Sequence, residues 1–199
     1  VGGKAFKPNI IGAELALISD DIFTLKRFPR EILIVGGGFI ACEFASIFNS
    51  LGTRVTQIVR STSLLRGFDK ELTFALEEAL REKGVNIIYS CELKAIKKNL
   101  NNLNVLTSKE QIISTEEVLF ATGRKPFIQG LGCELIGLEV INNRINIGKH
   151  NNTNVSNIFA IGDVTDNVNL TPVAVDEGRA LADRLFGDKF REIDYNLIP

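Results

Sequence analysis

Residues 32–41 read ILIVGGGFIA, and this stretch decides the fold. The apolar run 32–35 predicts a strand that is buried on both faces, as in a parallel sheet. Three glycines follow at once, and from Phe39 the apolar residues recur at helical spacing until Gly52, a natural helix stop. Residues 55–59 are predicted to form the next strand, so the whole segment has about the 30-residue length of one β–α–β unit.

Downstream of this unit, the pattern predicts another helix, two strands and an antiparallel meander. Asp69 is a favourable N-cap for a helix that ends near Gly84, and residues 85–89 follow as a strand. Between residues 93 and 115, three short alternating segments are separated by polar turns, which is typical of antiparallel strands. Residues 118–121 are predicted to form a strand that runs into Thr-Gly-Arg.

The last third of the chain is richer in loops. Residues 157–161 are predicted to form a strand, and Thr171 is predicted to be the N-cap of a helix with Pro172 at its first position and Gly187 at its end. We therefore expect an α/β fold: a Rossmann-like dinucleotide domain at 28–124, with a parallel sheet and a meander, inserted between two flanks of another domain.

The glycine turn has the pattern that binds a dinucleotide. In the sequence G-x-G-x-x-A, Gly36 permits the tight turn, Gly38 lets the backbone approach a pyrophosphate, and Ala41 allows close packing of helix on strand. The N-terminus of the following helix supplies free N–H groups and a positive dipole end. The alternative is a glycine-rich turn in an α/β fold that binds nothing.

The end of the second strand indicates which dinucleotide is bound. An NAD site places Asp or Glu there, but between Glu43 and Asp69 the sequence has no acidic residue. It has Arg60 and Arg66 instead, and two guanidinium groups can bind a 2′-phosphate that a carboxylate would repel. We therefore predict NADP(H) as the cofactor, the alternative being that both arginines are solvated surface cations.

Other candidate residues allow two interpretations each. Asp163 follows an apolar run and either accepts hydrogen bonds from the sugar of a second cofactor or is an ordinary turn residue. Glu43 lies either near a nicotinamide or at a helix N-terminus because the dipole favours an acid there. Cys42 is interpreted as a small core residue, and His150 receives no role.

Composition excludes several classes of function. The chain of 199 residues has a net charge of −1, which gives no general electrostatic attraction to nucleic acid or to an anionic membrane, and it has no apolar run long enough for a membrane span. One histidine and three cysteines without ligand spacing argue against a metal site.

The odd cysteine count favours a reducing compartment, and we expect a cytoplasmic location. The chain begins at Val1 and lacks methionine, so we expect a piece of a longer protein.

Several motifs together resemble one enzyme family. They are residues 34–43 (IVGGGFIACE), 59–60 (VR), 65–69 (LRGFD), 121–124 (ATGR), 160–164 (AIGDV) and 169–174 (NLTPVA). Over nearly the whole chain they resemble the glutathione reductases, above all those of plants and cyanobacteria, among the flavin-containing pyridine nucleotide-disulfide oxidoreductases. The resemblance implies hydride transfer from NADPH to FAD, then electron transfer to a redox disulfide, then reduction of glutathione disulfide.

The resemblance also implies roles for residues of the NADPH site. Gly36, Gly38 and Ala41, with Phe39 and Ile40 between them, would hold the pyrophosphate. The 2′-phosphate would lie against the two arginines, 60 and 66. The first residue of the helix, Phe39, occupies a position where many relatives have a tyrosine that covers the flavin.

Further roles implied by the resemblance concern the nicotinamide and FAD. Glu43 would lie beside the nicotinamide, as the one catalytic residue that the resemblance implies. Asp163 would bind the ribityl or pyrophosphate part of FAD, and Leu170 and Thr171 would approach the flavin through main-chain N–H groups. Gly123 completes the predicted cofactor-binding set.

By the same resemblance, residues 1–27 and 125–190 are expected to be parts of an FAD-binding domain, with 28–124 as the NADP(H)-binding domain and 191–199 as the start of a dimerisation domain. The family's FAD glycine motif, its C-x4-C redox pair and its catalytic histidine are missing from this sequence. We therefore expect the piece alone to be inactive and the complete protein to form a homodimer. The alternatives are a non-catalytic NADP(H)-sensing module and a related flavin reductase with another acceptor.

Overall fold

The computed structural model describes residues 1–187 and 190–198, so parts of the predicted segments 125–190 and 191–199 lie outside the described residues. Two compact units are formed: Ala5–Gly123 is one, and Val1–Lys4 with the described residues from Arg124 onward is the other. None of the described helices has the length and apolar character that crossing a bilayer requires.

Near the glycine turn, a strand, a helix and a second strand follow one another, as predicted. The strands are β1 (Gly3–Ala5), β2 (Leu17–Ile18), β3 (Glu31–Val35), β4 (Arg54–Ile58), β5 (Asn86–Ile88), β6 (Leu93–Asn99), β7 (Asn102–Thr107), β8 (Ile112–Thr115), β9 (Glu117–Phe120), β10 (Arg124–Pro126), β11 (Val140–Ile141) and β12 (Arg144–Ile145). The helices are α1 (Ser19–Ile22), α2 (Phe39–Ser50), α3 (Lys70–Glu82) and α4 (Thr171–Phe186).

A parallel sheet with the strand order β2-β9-β3-β4-β5 is the centre of the unit Ala5–Gly123. Residues 32–35 of its middle strand are all buried, because apolar side chains cover both faces of the sheet. Alternate residues serve different faces: Ile32 and Ile34 pack with α2, whereas Leu33 packs with the meander. The predicted parallel sheet is confirmed.

The helices of this unit begin and end at the residues that favour those positions. Helix α2 starts directly after Gly38 and stops just before Gly52, whose φ of +89° suits glycine. Asp69 is the N-cap of α3, and its carboxylate accepts hydrogen bonds from the backbone N–H groups of Glu71 and Leu72 at 2.9 and 3.1 Å. These bonds confirm the predicted start of the helix.

The predicted meander is also confirmed. Strands β6, β7 and β8 form a separate antiparallel sheet in that order. Its buried side chains, among them Ile96 and Val105, pack against one face of the parallel sheet, while α2 and α3 lie on the other face. The fold is therefore an α/β fold with a parallel sheet and additional antiparallel strands, as the sequence predicted.

The other unit is built from short pieces. Strands β1 and β10 pair with each other, β11 and β12 form a hairpin, and α4 follows a turn of 3₁₀ helix at Gly162–Thr165. The predicted strand at 157–161 is wrong, since the segment makes a single bridge between Phe159 and Asn152. Its backbone instead bonds to the preceding loop, for example from the Ala160 N–H to the Asn151 carbonyl at 3.0 Å.

Candidate functional site

The first glycine of the turn is required by geometry. Gly36 has a φ of +144°, and a Cβ atom built on it would lie 2.3 Å from the backbone oxygen of Ala121. Its N–H donates to the carbonyl of Ile58 at 2.9 Å, and its α-carbon lies against fully buried Ala41. The turn therefore brings the end of β3 close to the ends of β4 and β9.

The third glycine leaves open space where a ligand can approach. A Cβ atom built on Gly38 would have no described heavy atom within 4 Å, although its backbone (φ −85°, ψ 178°) accommodates any residue. Gly38 is also the N-cap of α2, so the first N–H groups of the helix, starting at Phe39 and Ile40, point toward this opening. The arrangement fits a pyrophosphate group.

The segment after β4 is anchored on the glycine turn. The N–H of Leu65 donates to the carbonyl of Gly37 at 2.7 Å, and the Leu64 side chain is buried in the core. This anchor lies in the loop between Arg60, two residues after the end of β4 at Ile58, and Arg66, directly after Leu65. Both arginines are exposed, so the structure brings two cations to the loop that lies against the turn.

One of these cations has a nearby acid. The Nε atom of Arg60 lies 3.7 Å from a carboxylate oxygen of Glu92, and the arginine side chain is 80% exposed. An ion pair this open to water contributes little to stability. The guanidinium group of Arg60 is therefore available to another anion at small cost.

A buried glutamine beneath the turn was not predicted. Gln57, in the interior of β4, has no exposed surface, and its Nε2 donates to the Gly36 carbonyl at 3.0 Å. The same nitrogen lies 3.8 Å from the sulfur of Cys42. The sequence signal is a polar residue inside a buried strand, which requires a hydrogen-bonding partner.

Two neighbouring residues of α2, Cys42 and Glu43, have different surroundings. Cys42 is buried, and burial raises the pKa of its thiol, opposed by the hydrogen bond from Gln57. The thiol is therefore protonated at neutral pH, in agreement with a core residue. Glu43 is exposed and is the fifth residue of the helix, beyond the first turn where the dipole favours an acid. The dipole therefore does not account for Glu43.

The predicted residue Gly123 follows the end of β9. It has a φ of +119°, and its carbonyl accepts the N–H of Phe6 at 3.1 Å. The preceding Thr122 donates its hydroxyl to the carbonyl of Phe6 at 2.8 Å. These bonds hold the Thr-Gly segment at the carboxyl end of a parallel strand, where ligands bind in folds of this class.

Around Asp163 the structure gathers residues that are distant in sequence. Its Oδ2 lies 3.9 Å from the Nε of Arg124, and both side chains are about a quarter exposed, 26% and 28%. Arg124 also donates to the carbonyl of Gly3, and a Cβ atom on Gly3 would come within 2.9 Å of the same Asp163 oxygen. The carboxylate is thus oriented and partly open to solvent.

The N-terminus of α4 lies one residue earlier than predicted. Leu170, with extended backbone, is the N-cap, while Thr171 is the first helical residue and Pro172 the second. The expected side-chain cap from Thr171 is therefore wrong, and no described side chain caps this end. The N–H groups at the start of α4 are left for another acceptor.

A second buried polar residue, Glu177, was also not predicted. It lies on the buried stripe of α4 with Val173 and Ala180, and its carboxylate accepts hydrogen bonds from Gly162 and Tyr195. The helical spacing of these three positions was the available signal, because an acid that falls in an apolar stripe must find donors.

Two further observations concern a cavity and the possibility of a metal site. A cavity of about 440 Å³ is lined by polar side chains that include His150, Arg184 and Tyr195, but by none of the described residues predicted to bind a cofactor. In the described part of the chain, no group of three or more His, Cys, Asp or Glu side chains is arranged to hold a metal ion.

Comparisons with known proteins agree on one family. The family model of the pyridine nucleotide-disulphide oxidoreductases matches residues 1–178. Glutathione reductase of Nostoc sp. is 39% identical, and that of Burkholderia cepacia is 40% identical, each over 100% of this chain and over 46% and 44% of the relative. The chloroplastic/mitochondrial glutathione reductase of Pisum sativum is 41% identical over 100% of this chain and 36% of its own length.

Solved structures give the same result. The HOCl-induced flavoprotein disulfide reductase RclA from Escherichia coli superposes with a TM-score of 0.91 at 29% identity, over 96% of this chain and 45% of that chain. The chain thus spans less than half the length of these relatives. With the family model matched over most of its residues, the chain belongs to the pyridine nucleotide-disulphide oxidoreductase family.

Proposed function

We propose that this chain is the NADPH-binding central part of a flavoprotein disulfide reductase, and that the complete protein reduces glutathione disulfide. The chemistry that the cofactors supply is hydride donation by NADPH and electron transfer through FAD to a redox disulfide. Glutathione disulfide as the acceptor is supported by the names of the relatives, which are glutathione reductases at about 40% identity.

One observation carries the NADPH assignment. The hydrogen bond from Leu65 to Gly37 joins the loop that bears Arg60 and Arg66 to the glycine turn. A dinucleotide whose pyrophosphate lies at the turn has its adenosine ribose near the end of the second strand. In this position a 2′-phosphate would meet two guanidinium groups and no carboxylate of the loop.

Each residue of the glycine turn has a different proposed role in holding the pyrophosphate. Gly36 makes the turn, Gly38 leaves room beside the backbone, and Ala41 packs the helix close to the sheet. The backbone N–H groups of Phe39 and Ile40 lie at the N-terminus of α2, where they would donate hydrogen bonds to the pyrophosphate. Glu43, exposed on the next turn of the helix, is proposed to lie beside the nicotinamide.

The other unit supplies the proposed contacts to FAD. Asp163 would accept hydrogen bonds from the ribityl or pyrophosphate part, and Gly3 fits beside it because a side chain there would collide with its carboxylate. Leu170 and Thr171 would donate main-chain N–H groups from the uncapped start of α4. Gly123, which follows the end of β9 and belongs to the unit Ala5–Gly123, completes the proposed cofactor-binding set.

The remaining proposals concern the complete protein. The segment 28–124 is proposed as the NADP(H)-binding domain, 1–27 and 125–190 as parts of the FAD-binding domain, and 191–199 as the start of a dimerisation domain. A homodimer is proposed from the resemblance. A cytoplasmic location is proposed from the three cysteines, which are buried and free, as a reducing compartment favours.

The test of the NADPH assignment is a double substitution, Arg60→Ala with Arg66→Ala, in the complete protein. A hydrogen bond to a charged group contributes about 1.5–3 kcal/mol, and exposure reduces this figure, so we expect NADPH affinity to fall at least about tenfold. NADH affinity, measured by the same titration, should stay within about twofold because NADH lacks the 2′-phosphate.

Arg54→Ala is the matched control. Arg54 is an exposed arginine at the start of β4, the strand that precedes this loop, and it is ion-paired with Glu31 where β3 and β4 begin, away from the glycine turn. Its loss should leave both affinities unchanged. Unchanged NADPH affinity in the double variant would remove the 2′-phosphate assignment.

A further inference from the structure

Glu177 places a carboxyl group in the interior of the protein. The residue is 1% exposed and lies on the buried stripe of α4 between Val173 and Ala180. Taking a carboxylate out of water is costly unless strong hydrogen bonds replace the lost hydration. Because an apolar side chain would fill this stripe at lower cost, packing alone gives no reason for an acid here.

Both oxygens of the carboxylate have a donor. Oε2 accepts the backbone N–H of Gly162 at 2.6 Å, and Oε1 accepts the hydroxyl of Tyr195 at 2.6 Å. Burial and the neighbouring carboxylate raise the pKa of Tyr195 to about 12, so its hydroxyl remains a donor at neutral pH. The two bonds connect the turn before α4 with the segment that follows the helix.

The turn held in this way contains the residue proposed to bind FAD. Gly162 is buried with a φ of +70°, and its carbonyl accepts the Thr165 hydroxyl at 2.8 Å. With the N–H bonded to Glu177 and the carbonyl bonded to Thr165, both polar groups of Gly162 are fixed. These two bonds therefore fix the backbone from which the next residue, Asp163, projects its carboxylate toward Arg124.

We propose that Glu177 is a positioning residue for the flavin site: by holding the Gly162 N–H it orients Asp163 toward FAD. The proposal rests on the proposed function, in which Asp163 contacts FAD, and it adds a residue that touches no cofactor itself. Tyr195 extends the same arrangement, since it ties the segment after α4 to the carboxylate that holds the turn.

Two substitutions at Glu177 separate hydrogen bonding from packing. Glu177→Met keeps the length and bulk of the side chain but removes both acceptors, which leaves the buried Gly162 N–H without its bond. Glu177→Gln keeps one oxygen for Gly162 and offers its amide N–H₂ to the Tyr195 oxygen. The matched control is Asp176→Asn on the same helix, which alters the surface ion pair with Arg191 at 2.7 Å and does not touch Gly162.

The measurement is a titration of the complete apoprotein with FAD, followed by flavin fluorescence, alongside thermal unfolding without FAD and a titration with NADPH. Because Glu177→Met no longer holds the Gly162 N–H and so leaves the turn before Asp163 unfixed, it should weaken FAD binding about tenfold or more. Glu177→Gln should stay within about threefold of the parent, and Asp176→Asn should match it. NADPH affinity should not change in any of them.

The proposal would be overturned if a folded Glu177→Met variant bound FAD as tightly as the parent. If that variant also unfolded at a lower temperature, Glu177 would have a structural role only. Should the Met variant not fold, Glu177→Asp retains the charge but withdraws it by one methylene, and unweakened FAD binding there would equally overturn it. If the parent apoprotein binds no FAD, the proposed function fails first, and the Glu177 proposal falls with it.

Discussion

At the scale of single residues, two glycines of one turn are needed for different reasons. Gly36 is required by the protein itself, because its positive φ and the nearby Ala121 carbonyl leave no room for a side chain. Gly38 has ordinary extended backbone and open space around its α-carbon, so the fold does not require glycine there. Under the proposed function, the requirement at Gly38 would come from the pyrophosphate that approaches the backbone.

Gly36→Ala should therefore damage the fold. A methyl group 2.3 Å from a backbone oxygen, on strained backbone, should lower the free energy of unfolding by roughly 2–4 kcal/mol. Urea unfolding of the complete protein measures this loss. A variant as stable as the parent would mean that the turn is not held as described.

Gly38→Ala should affect binding and spare the fold. The free energy of unfolding should stay within about 1 kcal/mol, the cost of placing alanine at an N-cap. NADPH and NADH affinities should both fall at least about tenfold, because the methyl group occupies the approach of the pyrophosphate that both cofactors share. Retention of both affinities would argue against a pyrophosphate at this turn, whatever the Arg60 and Arg66 variants do.

At the scale of elements, the β3–α2–β4 unit was predictable because local rules agree there. An apolar run, a glycine turn, helical spacing and a stop at Gly52 all specify the same structure. Residues 157–161 were not predictable, since their apolar run satisfies its backbone through loop bonds such as Ala160 to Asn151. Hydrophobic patterning reports burial and does not report which backbone groups pair.

The same distinction applies to the candidate site. The glycines and arginines proposed for the NADPH site could be proposed from the sequence because their residue types carry the chemistry at fixed spacing. Gln57 and Glu177 were missed, although the strand and helix periods place both among buried residues. Their partners are the backbone groups of Gly36 and Gly162, and a contact to distant backbone leaves no motif in the sequence.

The cap of α3 offers a test at the scale of one element. Asp69→Ala removes the acceptor for two N–H groups and should lower the free energy of unfolding by about 1 kcal/mol, seen as a lower urea midpoint. Glu78→Ala, an exposed position inside the same helix, should change it by less than about 0.5 kcal/mol. Equal effects of the two substitutions would contradict the capping role.

At the scale of the whole molecule, the proposed cofactor contacts are divided between the two compact units. The glycine turn, Arg60 and Arg66 belong to Ala5–Gly123, while Asp163 and the start of α4 belong to the other unit. Variants of the first group should therefore change nicotinamide cofactor affinity alone, and variants of the second should change FAD affinity alone.

The most direct measurement is the oxidation of NADPH by the complete purified protein, with and without glutathione disulfide. We predict a protein that carries FAD and turns over NADPH only when the disulfide is present, with kcat/KM for NADH at least about tenfold lower, because NADH lacks the 2′-phosphate that the two arginines would bind. Tight NADPH binding without FAD or turnover would contradict a reductase and favour a sensing module. Turnover with another disulfide alone would contradict glutathione disulfide as the acceptor.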